Sequence, residues 1–379
     1  MYSKQSVKLV IKIVILTSVI IILLKSQFTY IISLNRNGLY LKEHHNIASS
    51  NQTSIEKIFL LRTHKTASCT LVNILQRYAI RHKKYTVLPI RKENFSSGKL
   101  FNINFAKPLN QEPQILLGHI LFDEAEVAKI FPKSPDTLYL TIVRDVRTVI
   151  ESRITYNPVA INLKFPSIEP FEAAEHLAIN FPKYKNNPKL GFEGSNWYYF
   201  TMSSNKSIPS IETNTTAIQI EIDRLDKLFD FVMITEMFDE GLILLKNMLK
   251  LEDEEIEYLK QNARTNASKK KTHSAEYEEA IQKYFIADEM IYQHFKKRFI
   301  SQLEEYGRER MEKEVKKFRK KIFDLSNECI KDYYHRKRNS VFITVPILYK
   351  NASKHCKSMA TGTDHYAIKI RKIQYSRNS

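Results

Sequence analysis

Short apolar runs that end in polar loops and then give way to helical spacing place the strongest limit on what this chain can fold into. The first run, residues 58–61, is followed by a small polar loop and then by Leu71, Ile74, Leu75, Tyr78 and Ala79 at intervals of three and four. The stretch Thr137–Val143 is apolar or β-branched throughout, and it leads through Arg144 and Asp145 into a helical pattern over Val146–Tyr156. Shorter strands are predicted at 85–90, at 115–117 just before Gly118 and His119, and at Phe231–Ile234, with helices over 123–131 and 240–249. Strands alternating with helices predict an α/β fold whose parallel sheet is covered on both faces. From residue 252 the pattern turns mostly helical, over 252–262 and then from 274 to about 326. Residues 157–228, rich in Asn, Pro, Lys and Ser, read as loops and insertions around a site.

Composition narrows the class further. The 379 residues are 43% hydrophobic and include 21 Phe and 20 Tyr, enough for a substantial core, while 8 Gly and 12 Pro exclude a low-complexity chain. Three Cys are too few for a disulfide scaffold or a two-pair zinc site, and no metal is expected. The net charge is +18, and from Lys296 onward there are 22 basic against 9 acidic residues. Such a surplus suits a phosphate-bearing or polyanionic partner and equally a solvated basic face. No nucleic-acid partner is expected.

Residues 7–24 form an apolar run interrupted by Lys8 and Lys12. If those lysines and Lys25 snorkel to the two headgroup layers, the run reaches the roughly 17 residues of a membrane span. Lysines ahead of the apolar centre put the N-terminus in the cytosol, a type II signal-anchor arrangement. The chain then divides into a cytosolic tail (1–6), the anchor (7–25), a stem (26–55), a catalytic domain (56–328) and a basic C-terminal extension (329–379). Sequons at Asn51, Asn94, Asn205, Asn214, Asn266 and Asn351 are compatible with a lumenal domain. In an oxidising lumen Cys329 and Cys356 can pair, leaving Cys69 as the odd thiol.

Three groups of residues can carry chemistry. Thr63-His64-Lys65-Thr66-Ala67-Ser68-Cys69-Thr70 lies between a strand and a helix, where free N–H groups and the helix dipole can cradle phosphate and Lys65 adds a point charge. It lacks the glycines of a Walker A loop, and an ordinary capped helix start fits the same residue types. Arg144 stands at a strand end with Ser152 eight residues on, a pairing able to hold one phosphate from two sides, although a carboxylate partner for Arg144 is the alternative. His119, after another strand, is either a general base or a structural histidine.

Together these residues resemble the membrane-bound galactose-3-O-sulfotransferases, the family that includes galactosylceramide sulfotransferase. Residues 59–70 look like that family's 5'-phosphosulfate loop, and residues 138–152 resemble its 3'-phosphate segment. Further matches are Glu236-Met237-Phe238-Asp239-Glu240, Asn262-Ala263-Arg264 and Gly307-Arg308-Glu309-Arg310-Met311, in matching order over roughly residues 57 to 325. The resemblance implies a P-loop-like sheet and a donor, 3'-phosphoadenosine 5'-phosphosulfate. It implies that His64, Lys65, Thr66, Ala67, Ser68, Cys69 and Thr70 surround the phosphosulfate, that Arg144 and Ser152 hold the 3'-phosphate, and that His119 is the catalytic base with Lys65 assisting. The expected acceptor is a galactose hydroxyl, the 3-hydroxyl by family, on a glycolipid or glycoprotein, and the expected compartment is the Golgi membrane. Two alternatives stand beside this reading: a glycosaminoglycan sulfotransferase of the uronyl 2-O type, and a catalytically degenerate carbohydrate-binding member, the latter because Cys69 replaces a hydroxyl residue.

Overall fold

A computed structural model describes residues 54–90, 95, 99–190, 196–203, 214–260, 272–338 and 341–376. The expected anchor and stem, up to residue 53, and the sequons at Asn51, Asn94, Asn205 and Asn266 lie outside the described residues. Among the described residues no helix is long and apolar enough to cross a membrane.

The chain from Ser54 onward forms one compact unit. Strand β1 (Lys57–Leu61) runs into helix α1 (Ser68–Arg81), then β2 (Thr86–Val87), β3 (Ile115–Gly118), α2 (Glu124–Ala128), β4 (Thr137–Val143) and α3 (Val146–Tyr156). Four helices follow, α4 (Val159–Asn162), α5 (Pro170–Ile179), α6 (Phe181–Tyr184) and α7 (Trp197–Met202), then α8 (Thr215–Leu228), β5 (Phe231–Ile234) and α9 (Phe238–Leu249). The C-terminal part comprises α10 (Ala275–Tyr284), α11 (Ile286–Tyr306), α12 (Arg308–Cys329), a hairpin of β6 (Ile330–Arg338) and β7 (Val341–Leu348), α13 (Lys354–Ala360) and α14 (Thr363–Ser376).

The five-stranded sheet has the order β2-β3-β1-β4-β5, and each neighbouring pair is parallel. Every residue of β4 is buried, as expected for a central strand covered on both faces. From β1 the chain proceeds to one side of the sheet and later returns to the other, so the topological switch lies at β1, beside β3 and β4. Ligands of open α/β sheets bind at the carboxyl ends of strands at such a switch.

Four details depart from the sequence reading. Among the described residues, 157–228 hold five helices rather than loops, because helices that begin at Pro or Asn, such as α5 and α8, look like loop composition. The helix expected over 252–262 is only a 3₁₀ turn at Asp253–Glu255 within its described part, and the strand expected at 85–90 shrinks to Thr86–Val87. The C-terminal helices return to the sheet: Gln374 of α14 accepts from the Thr86 N–H at 2.9 Å and donates to the Thr86 carbonyl at 3.0 Å, pairing with the edge strand as a neighbouring strand would. A disulfide joins Cys329 and Cys356.

Gly307 separates α11 from α12 at φ 98° and ψ 112°. A side chain there is strained by roughly 1–3 kcal/mol even with space around it. Gly307→Ala is therefore expected to lower the melting temperature by several degrees, and an unchanged melting curve would show that the junction relaxes.

Candidate active site

The three groups singled out in the sequence meet at the carboxyl ends of neighbouring strands, since Leu61 of β1 lies opposite Gly118 of β3 on one side and Thr141 of β4 on the other. Beyond Leu61 the chain turns through residues 62–67, with Lys65 (φ 64°) and Ala67 (φ 59°) in left-handed backbone. Such conformations are costly for residues with a Cβ, so neighbouring bonds must hold them. The Ser68 hydroxyl donates to the Thr63 carbonyl at 2.9 Å, the Thr63 and Thr66 hydroxyls are 2.9 Å apart, and Thr63 also bonds the Ile142 carbonyl. The Thr235 hydroxyl lies 3.0 Å from the carbonyls of both Thr66 and Val143. Thr63, Thr66 and Ser68 are buried, and their hydroxyls shape the loop.

The N-cap of helix α1 is Ala67, whose side chain offers no cap, and the first turn carries no acidic residue. Its leading N–H groups thus lack the side-chain acceptor that a Ser, Asp or Asn would supply, an arrangement suited to an incoming anion rather than to a capped helix start. The Lys65 ammonium rests 3.9 Å over the Tyr156 ring. Cys69 is exposed, with its sulfur 2.9 Å from Nη2 of Arg62, and Thr70 donates its N–H to the Ala67 carbonyl at 3.0 Å.

Arg144 begins where β4 ends. Its Nη1 donates to the Lys65 carbonyl at 3.1 Å and its Nε donates to the Thr148 hydroxyl at 2.9 Å, so it ties the loop to α3. A carboxylate oxygen of Glu236 lies 4.0 Å from its Nε, and that oxygen also accepts from the Asp145 N–H at 3.1 Å. Ser152 is half-buried on α3, and Thr148, one turn nearer, is the hydroxyl that touches the guanidinium.

His119 follows Gly118, where a Cβ would come within 2.8 Å of the Phe95 ring. Its Nδ1 lies 3.0 Å from the Arg62 carbonyl. A carbonyl only accepts, so Nδ1 carries the proton and Nε2 keeps its lone pair, the tautomer a general base needs. The His64 ring stacks on His119 with centroids 3.9 Å apart at 15°, Trp197 meets His64 edge-on at 5.3 Å, and the Arg153 guanidinium sits 4.7 Å over Trp197.

Both histidines are held neutral. Burial, then Arg62 and His64, push the pKa of His119 well below the ordinary value, against the opposing bond to the Arg62 carbonyl. His64 is exposed along one edge, and loss of hydration over the stacked part of its ring, with Arg153, Arg62 and Lys65 nearby, lowers its pKa to about 4. The unfolded chain takes up these protons near the ordinary histidine pKa and the folded chain does so only at lower pH, so stability is lost as pH falls below about 6.5. The melting temperature is expected to drop between pH 7 and 5, with a shallower slope in His119→Asn. Parallel slopes in the two proteins would contradict the assignment.

The model of one family, galactose-3-O-sulfotransferase, matches residues 2–355. The chain belongs to the galactose-3-O-sulfotransferase family. It is similar to galactose-3-O-sulfotransferase 3 of Mus musculus, 30% identical over 285 residues covering 73% of this chain and 63% of the relative. Its identity to galactosylceramide sulfotransferase of Homo sapiens is 28% over 279 residues, 72% of this chain and 64% of that protein. With galactose-3-O-sulfotransferase 2 of Homo sapiens it shares 27% over 286 residues, 73% of this chain and 69% of that protein. The chain therefore spans less than two thirds of the length of the first two of these relatives. No solved structure matches.

Within this family member, the site includes residues that sequence reasoning passed over. Arg62, Arg153, Trp197 and Tyr198 were given no role from the sequence and come to the site through tertiary contacts, although Arg62 stood inside the matched loop 59–70 and Arg153 beside Ser152. Among the described residues no cluster of three or more His, Cys, Asp or Glu is placed to hold a metal ion.

Proposed function

We propose that this chain is a sulfotransferase that moves a sulfuryl group from 3'-phosphoadenosine 5'-phosphosulfate to the 3-hydroxyl of a galactose residue on a glycolipid or glycoprotein. The observation that carries this reading is the meeting of an uncapped helix start, Arg144 and a neutral, oriented His119 at one sheet switch point in a chain of this family. The residues fit the donor: the N–H groups from 64 to 69 and Lys65 suit its 5'-phosphosulfate, while Arg144 with Ser152 suits its 3'-phosphate.

In the reaction, Nε2 of His119 takes the proton of the acceptor hydroxyl as that oxygen bonds to sulfur. The bond from sulfur to the nucleotide phosphate oxygen breaks, and its electron pair stays on that oxygen. Lys65, once drawn from Tyr156, and the loop N–H groups stabilise the charge building there. The transition state of such transfers is loose and in line, so positioning and charge carry most of the catalysis. Negative charge arriving with the donor raises the pKa of His119 and makes it a stronger base than in the empty cleft.

A direct test is nucleotide titration. Adenosine 3',5'-bisphosphate should bind at least about tenfold more tightly than adenosine 5'-monophosphate, the margin of one charge-assisted contact. Equal affinities would remove Arg144 and Ser152 from the donor site.

The glycosaminoglycan reading is favoured by one observation, the exposed cations Lys317, Lys320, Lys321 and Lys331 along α12 and β6. Placement as a type II protein of the Golgi membrane rests on the lysine-flanked apolar run and is supported by the Cys329–Cys356 bridge and by the exposed sequon residues Asn214 and Asn351. Glycosidase treatment of the protein made in a secretory host should lower its apparent mass, with an N-terminus near Met1. An unglycosylated, soluble product would contradict this placement.

A further inference from the structure

Helix α7 has only six residues, too short to hold itself, yet it touches the site at both His64 and Arg144. It is fixed by a reciprocal exchange with α11. Asn196, fully buried and in left-handed backbone at φ 58°, accepts through Oδ1 from the N–H groups of Ala287 (2.9 Å) and Asp288 (3.2 Å) and donates through Nδ2 to the Tyr284 carbonyl at 3.1 Å. In return, Oδ1 of buried Asp288 accepts from the Tyr199 N–H at 2.9 Å. Each helix start is thus capped by a side chain of the other.

The helix so fixed delivers two adjacent residues to the site. Trp197 abuts His64, which stacks on His119. Tyr198 is fully buried, and its hydroxyl accepts from the Arg144 N–H at 3.0 Å while donating to the Arg144 carbonyl at 2.9 Å. One phenol therefore satisfies both main-chain groups of the residue at which β4 turns into α3. Its burial keeps the hydroxyl protonated and able to donate.

We propose that Tyr198 is a positioning residue for the donor site, clamping the backbone of Arg144 so that its guanidinium bridges the loop and α3 in the orientation that reads the 3'-phosphate. This rests on the donor reading above. No bond is made from Tyr198 to the nucleotide; its effect passes through Arg144.

The test is a double-mutant cycle on the solubilised full chain, with adenosine 3',5'-bisphosphate as the probe and calorimetry as the readout. Tyr198→Phe should weaken binding by about tenfold, the scale of a lost hydrogen-bonded orientation, but by less than about twofold in the Arg144→Ala background, where nothing remains to be positioned. An effect of equal size in both backgrounds would mark Tyr198 as a general structural residue and overturn the proposal. Normal binding by Tyr198→Phe beside weak binding by Arg144→Ala would overturn it alone, whereas normal binding by Arg144→Ala would overturn the donor reading and this proposal together. If Tyr198→Phe does not fold, the sole tryptophan, Trp197, supplies a second readout in the unaltered protein. Its emission should shift as the nucleotide saturates the site, and constant emission while calorimetry records binding would contradict a rigid link from α7 to Arg144.

Discussion

Replacing His119 by Ala is expected to lower turnover by about 100-fold or more, the usual scale of general base catalysis, with donor binding and melting temperature little changed. The geometry separates this from a structural role. His119 is half-buried and gives one hydrogen bond to the Arg62 carbonyl, so its removal costs little packing, while Nε2 is the nitrogen left with a lone pair. Lys65→Ala provides the comparison, because losing a charge that acts on the leaving phosphate should slow turnover and weaken donor binding together. If His119→Ala melts normally and keeps near wild-type turnover, the base must be sought elsewhere. His64 would be the first candidate, since it shares the stack.

Arg144→Ala should weaken binding of adenosine 3',5'-bisphosphate by one to two orders of magnitude, the worth of about 1.5–3 kcal/mol for a hydrogen bond to a charged group. Two contributions are lost at once. The guanidinium disappears as a partner for the 3'-phosphate, and the Lys65 carbonyl loses its donor, loosening a loop that already holds two non-glycine residues in left-handed backbone. Binding of adenosine 5'-monophosphate should fall less, and an equal loss for both nucleotides would assign Arg144 to the loop alone.

Much of the frame was legible because its signals are local. The runs at 58–61 and Thr137–Val143 are apolar or β-branched and cleanly ended, so the strands and the residues just past them could be placed from order alone. The C-terminal half of the site was less legible. Trp197 and Tyr198 fall in a stretch whose short helix is stabilised by Asp288, some ninety residues later, and no local pattern announces that exchange. Gln374 reaching the β2 edge is of the same kind. The hairpin of β6 and β7 was hidden by its lysines and arginines, which read as a tail until pairing places Tyr334 opposite Val345. The loop hydroxyls were the subtler case. Thr66 and Ser68 look like phosphate ligands by type, but burial and their bonds to Thr63 assign their side chains to holding the turn.

Sulfuryl transfer to galactose is tested most directly by incubating the full chain with donor labelled at sulfur and two acceptors, a terminal β-galactoside and the same galactoside methylated at O-3. Label should pass to the free sugar, fail to reach the methyl ether, and disappear with His119→Ala. Equal labelling of both acceptors would contradict transfer to the 3-hydroxyl, and labelling of a glycosaminoglycan with neither galactoside labelled would contradict galactose as the acceptor.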